Sequence, residues 1–178
     1  MKQNLLILPG QFYRQYPVFS FVGLVALFII LFYFLYRQPL IENVIFTPLV
    51  NFYARLSGHF LSIIGFSNEV SADMISSSAF SVSVKKGCDA AEPMAIFIVG
   101  ILAFPALIKQ KLAGLGFGLT ILFALNIIRI ASLYLMGIYY PDYFEAMHLA
   151  VWQVAFILIA VMLWFLWLSY VVNKPKIV

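Results

Sequence analysis

Residues 18 to 36 (VFSFVGLVALFIILFYFLY) form a run of 19 residues without a charge. About 20 predominantly apolar residues are enough to cross roughly 30 Å of hydrocarbon as a helix. The run is long for a signal-peptide core and no small-x-small cleavage site follows it, so it is expected to be a retained anchor. Three further runs are of the same kind: 93 to 108, extended upstream by 89 to 92; 112 to 140, interrupted by Arg129; and 149 to 172. With 64% apolar residues, 10% charged residues and a mean hydropathy of +1.01, no soluble core could hide this surface. The sequence therefore predicts a single-domain, all-α integral membrane protein with about four transmembrane helices, spanning 18–36, 89–108, 112–140 and 149–172.

Charge placement sets the expected orientation. Lys2, Arg14, Lys109, Lys111, Lys174 and Lys176 fall on one side of this four-span arrangement. The seven acids, Glu42, Glu69, Asp73, Asp89, Glu92, Asp142 and Glu145, fall on the other. Lys and Arg mark the cytoplasmic side, so a plasma-membrane (inner-membrane) protein with both termini inside is expected. The net charge of +4 then reflects topology, and nucleic acid is not an expected partner.

The outer segment 37–88 contains an apolar stretch, 48–66 (PLVNFYARLSGHFLSIIGF). Asn51, Arg55, Ser57 and His59 argue against lipid on every side, and a fifth span would invert Lys109 and Lys111. An amphipathic interfacial or re-entrant helix that roofs the outer opening is expected instead. Further on, Phe80, Val82 and Val84 alternate with Ser81, Ser83 and Lys85, the two-residue period of a half-exposed strand. Val70, Ala72 and Met74 alternate more weakly, with Ser76 to Ser78 as a turn, which predicts a short outer β-hairpin. Its edge is suited to an extended peptide added as a further strand.

Cys88 is the only cysteine, which rules out an intramolecular disulfide and a CxxC site. Gly87 precedes it and Pro93 falls in the first turn of the helix expected to follow, so the thiol is expected at a helix N-terminus. The helix dipole together with Lys85 and Lys86 would favour thiolate, and Asp89 and Glu92 would oppose it. Arg129 interrupts an apolar span at a cost of at least about 2.5 to 3.5 kcal/mol at the bilayer centre. Rising ~1.5 Å per residue from Lys111, it sits about 27 Å up, near the outer edge of the hydrocarbon. Asn126 shares its helix face and is expected to orient the guanidinium. His148 starts the last span from the outer side, with Glu145 at i−3 as an acceptor for one ring nitrogen and Trp152 at i+4 as an aromatic wall. All three groups reach one level of the membrane. A thiol, an imidazole to move a proton and a fixed cation for a developing oxyanion make up a kit for acyl transfer.

Taken together, the outer strand, Gly87-Cys88, the N-x-x-R-I segment Asn126 to Ile130 and His148 at a helix start resemble the exosortase and archaeosortase family of membrane-embedded sorting enzymes. The resemblance covers about half the chain. It implies a cysteine peptidase or transpeptidase that cleaves a C-terminal sorting signal, a short motif followed by a transmembrane helix and a basic tail, and transfers the protein to an acceptor. On this reading Cys88 is the nucleophile, His148 the acid and base, and Arg129 the oxyanion partner. Arg55, His59, Val82 and Val84 are expected to contact substrate. The chain departs from the family in being compact, and in placing Asp89 and Ala90 where many members have Ser or Gly after the cysteine.

The partners expected are a protein substrate and membrane lipid, with no cofactor and no metal. Three rival readings compete. In a non-enzymatic scaffold or assembly subunit, Arg129 would pair with an acid on a partner helix. A small transporter would use the intramembrane Arg for an anion, but repeats and paired broken helices are missing. A metalloprotease is disfavoured because the two histidines are far apart and no HExxH is present.

Overall fold

The computed structural model describes residues 17–173, so Lys2, Arg14, Lys174 and Lys176 lie outside the described residues. Helix α1 (Pro17–Tyr36) carries the first apolar run. Pro39 opens a short helical turn, Pro39–Ile41, which passes through a π-helical turn at Glu42–Phe46 into α2 (Thr47–Ile63). The amphipathic character expected for this segment is visible in its burial. Val50, Tyr53, Ala54, Ser57, Gly58 and Leu61 form the buried face, whereas Arg55 and His59 are exposed. α2 ends in a Schellman arrangement: Gly65, at φ +94°, donates to the Ser62 carbonyl and Phe66 to that of Leu61.

Three short strands follow, β1 (Glu69–Ser71), β2 (Met74–Ser76) and β3 (Ser81–Ser83), antiparallel in that order. The expected hairpin is thus a three-stranded sheet. Ala72, read as part of a strand, turns the chain at φ +53° and splits that run into β1 and β2. The β2–β3 register pairs Met74 with Ser83, Ile75 with Val82 and Ser76 with Ser81. Ile75 is fully buried and seats the sheet in a core with Tyr53, Leu61, Val84, Ile130 and Tyr134.

The second span expected, 89–108, is shorter than predicted. Helix α3 (Ala91–Ala103) has 13 residues, about 20 Å of rise. Pro105 drives the preceding Phe104 into an extended conformation, ψ 137°, which ends the helix. Helix α4 then starts at Ile108 rather than 112, because the Gln110 side chain accepts the Leu107 N–H at 3.1 Å, and it runs 32 residues to Tyr139. Helix α5 (Trp152–Asn173) continues a helical path that begins at Pro141 and includes a π-turn at Met147–Val151. Three helical stretches are long and apolar enough to span a bilayer: 18–36, 108–139 and 141–173.

α3 packs against α1, α4 and α5. A second core of Phe97, Ile101, Leu122, Phe156, Ala160, Leu163 and Trp167 fills the bundle. The two cores meet around residues 88 to 90. Acids gather at that end: Glu92 accepts from Tyr33 (3.2 Å) and from Gln153 (3.0 Å), so it ties α1 and α5 to the start of α3. Lys109 and Lys111 sit at the start of α4, where Lys111 reaches the Leu102 carbonyl at 2.7 Å. In that region the indole of Trp167 lies flush against Gly114 and donates to the Gln110 carbonyl at 2.9 Å. Gly114→Leu should overpack this contact and cost about 1–3 kcal/mol, read as a lowered Tm in detergent; an unchanged Tm would show that the indole is free to move.

Candidate functional site

The loop carrying Cys88 is built by turn chemistry. After β3, the Val84 N–H donates to the Asp73 carbonyl at 2.8 Å, and the chain reverses so that the Cys88 N–H donates to the Lys85 carbonyl at 2.8 Å. Gly87 supplies the φ of +96° that this reversal needs. Helix α3 begins three residues beyond the cysteine, so the thiol is not at the helix N-terminus as expected. That place is taken by Asp89, whose carboxylate accepts the Ala91 N–H at 3.1 Å and the Tyr36 hydroxyl at 3.2 Å. Asp89 is only 1% exposed. In the sequence Asp89 stands as a charge opposing the thiolate; the signal for its structural part is that an Asp just ahead of a helix favours capping.

Two expected helpers do something different. Asn126 donates from Nδ2 to the Cys88 carbonyl at 2.9 Å, so it fixes the cysteine backbone rather than the guanidinium. Lys86 turns away from the thiol: its Nζ donates to the Tyr36 carbonyl at 2.6 Å and pairs with Glu42 at 3.1 Å. It ties the loop to the end of α1.

His148 comes to Cys88 from the opposite wall, with Sγ 2.9 Å from Nε2. It sits in the π-turn before α5, where the extra residue per turn shifts every following side chain around the axis. Trp152 is therefore rotated out of the wall it was expected to form, and it packs on Phe156 with 6.1 Å between ring centroids. Phe144 takes its place, 5.9 Å from the His148 ring. Glu145 is exposed, and no hydrogen bond joins it to His148 among the described residues; it acts on the imidazole through its charge alone.

Arg129 projects from α4 into the same region and is 1% exposed. Its guanidinium carbon lies 5.4 Å from the centre of the Phe156 ring, and its Nε has no hydrogen-bond partner. Among the described residues no carboxylate lies within 4 Å of it, since the single ion pair there is Lys86–Glu42. Its charge is felt by Cys88, Asp89 and His148. A buried cation without a close counter-charge is costly, which leaves this one disposed to accept negative charge next to the thiol. It faces the interior and not a lipid surface, so a partner helix has no access to it.

Cys88 and His148 open onto a cavity of about 320 Å³, also lined by Ser81 to Lys85, Ile130, Leu133 and Phe144. Val82 and Val84 are thus at the cavity. Arg55 and His59 are not: both lie on the exposed face of α2, and Arg55 lines a separate depression with Asn51 and Phe52. Ile130, Leu133 and Phe144 were missed because an apolar residue in a span carries no signal that separates a cavity wall from a lipid face. Burial pushes the Cys88 thiol up, Arg129 and the Lys85 hydrogen bond pull it down, and Asp89 adds to the rise. The net direction is upward, against the thiolate expected from the sequence, because burial outweighs the pull of Arg129 and the Lys85 backbone, and Lys86 pairs with Glu42 instead.

A polytopic helical protein with a thiol–imidazole pair beside a buried guanidinium defines a class of membrane protein with the groups of an acyl-transfer site. A family model described as transmembrane exosortase matches residues 18–165, and the chain belongs to that family. No curated protein and no solved structure matches the chain.

With the thiol raised, alkylation of Cys88 by iodoacetamide in detergent should be slow at neutral pH and climb with a midpoint above the usual thiol value of about 8.5. Arg129→Gln removes the charge that favours thiolate and should move the midpoint further up. A wild-type midpoint at or below the usual thiol value would contradict the site's electrostatics.

Proposed function

We propose that the protein is a membrane-embedded cysteine peptidase or transpeptidase that processes a C-terminal sorting signal on the extracytoplasmic side. The observation that carries this reading is the 2.9 Å contact between Cys88 Sγ and His148 Nε2, made between a loop before α3 and the turn before α5. Membership of the transmembrane exosortase family supports it. The separation of the acids near Cys88 from Lys109 and Lys111 at the far end of α4 supports an orientation with both termini cytoplasmic.

In the resting site the thiol is neutral and His148 Nε2 accepts its hydrogen bond. A substrate carrying a transmembrane helix packs laterally against the bundle and presents its outer flank, in extended form, to the cavity. As Sγ attacks the scissile carbonyl carbon, its proton passes to Nε2, and the negative charge on the carbonyl oxygen develops in the field of the buried Arg129 charge. Collapse of the tetrahedral intermediate breaks the C–N bond. His148 gives the proton to the departing amine, the tail helix leaves and a thioester remains on Cys88. An amine, a lipid headgroup or water then gives a proton to His148 and attacks the thioester, and the thiol takes the proton back. Arginine suits this place because it stays charged at every relevant pH and its donors are fixed in a plane.

Co-expression with single-span C-terminal signals, scored by size shift, tests the reading. Cys88→Ala and His148→Ala should each abolish processing while the protein still inserts. Arg129→Gln should slow it by about 10²–10³-fold, the usual loss for one oxyanion donor. Processing unaffected by Cys88→Ala would refute the assignment.

A further inference from the structure

The antiparallel ladder between β2 and β3 fixes which backbone groups of β3 remain free. In such a ladder, pairs that exchange both hydrogen bonds alternate with pairs that exchange none. Val84 N–H bonds to Asp73, and Ser77 N–H bonds to Phe80, so both ends of the ladder are hydrogen-bonded pairs. Both lie in register with Ile75–Val82, two residues from each. Val82 and Val84 therefore spend their backbone groups on β2. The N–H and C=O of Ser81 and Ser83 point the other way, to the side of β3 where no further strand is paired among the described residues. Unpaired edge groups are a template for a further strand.

That edge borders the cavity that holds Cys88 and His148, and Ser81, Ser83 and Lys85 are part of its wall. Ile130, Leu133 and Phe144 line the same cavity as an apolar surface. Two residues past Ser83, the Lys85 carbonyl closes the turn that delivers the thiol.

Resting on the function proposed above, we infer that the substrate flank binds as a fourth strand on β3, paired to the backbone of Ser81 and Ser83. An apolar residue of the flank points at Ile130, Leu133 and Phe144, and the scissile carbonyl reaches Cys88 as the strand runs past the end of β3. Main-chain bonds supply affinity irrespective of sequence, and the apolar wall selects one side chain in two. The valines at 82 and 84, singled out from the sequence as substrate contacts, hold β3 to β2 and to the core beneath it as well as lining the cavity.

The test uses the full chain in detergent and a pool of acetylated pentapeptide chloromethyl ketones built from Val, Leu, Ser and Gly. These alkylate Cys88, with chloride leaving and the thiol proton released. The pool should modify wild type faster than iodoacetamide at equal concentration. Probes N-methylated at the amide that pairs with Ser83 should lose about tenfold, the worth of one or two backbone hydrogen bonds. Ser81→Pro removes an outward N–H at the first residue of β3, a position that tolerates proline, and Ser81 makes no side-chain hydrogen bond among the described residues. It should slow the pool by a similar factor and leave the iodoacetamide rate unchanged. No advantage of the pool over iodoacetamide, or no N-methylation position that matters, overturns strand pairing. Neither result touches the function itself, which stands or falls with Cys88→Ala processing.

Discussion

The site depends on one hydrogen bond, from the Asn126 side chain to the Cys88 carbonyl. Inside a membrane protein an irregular backbone survives only where its polar groups find partners within the fold. Residues 84 to 90 are irregular, and their polar groups are met within the fold, by Asp73, Lys85, Asp89, Tyr36, Glu42 and Asn126 among others. Asn126 is the one that reaches from the middle of α4, and it holds the loop beside the helix that carries Arg129. Leaving that carbonyl unpaired would cost on the order of 1–3 kcal/mol in the place where position matters most.

The rest of the fold is arranged around this loop. α2, the sheet and residues 130 to 134 of α4 form one core, α3, α5 and the preceding part of α4 another, and Cys88 and Ala90 belong to different cores. His148 is brought in by the last helical stretch, so the thiol and the imidazole are 60 residues apart in sequence and in contact in space. Asp89 contributes twice, closing the first turn of α3 and receiving Tyr36, which is how the end of α1 is fastened to the loop.

How much of this was readable in the sequence follows from what each signal measures. Hydropathy reports transfer into lipid, so the long runs 18–36, 112–140 and 149–172 were recovered, with boundaries moved by Gln110 and by the π-turn. It does not report backbone termination, and Pro105 shortened α3 below a full span. Residue chemistry singled out Cys88, Arg129 and His148, and the structure brings them to one region. Their helpers were misjudged because i±3 and i±4 arithmetic assumes an uninterrupted α-helix and partners on the same element. Trp152 failed the first assumption and Asn126 the second. Lys85 and Lys86 are close to Cys88 in sequence, yet Gly87 turns the chain so that nearness along it gives no nearness in space for the Lys86 charge.

The π-turn at Met147–Val151 has a consequence for how the last helix can vary. It holds one residue more than a regular turn, which makes it a phase shift written into the chain. Closing it to ordinary winding with the chain length unchanged would swing His148 about 100° around the axis relative to Phe156 and Leu163 below it. The bundle would remain packed, and the imidazole would face another way. The wide winding of this short stretch is therefore as strict a requirement as the identity of the histidine.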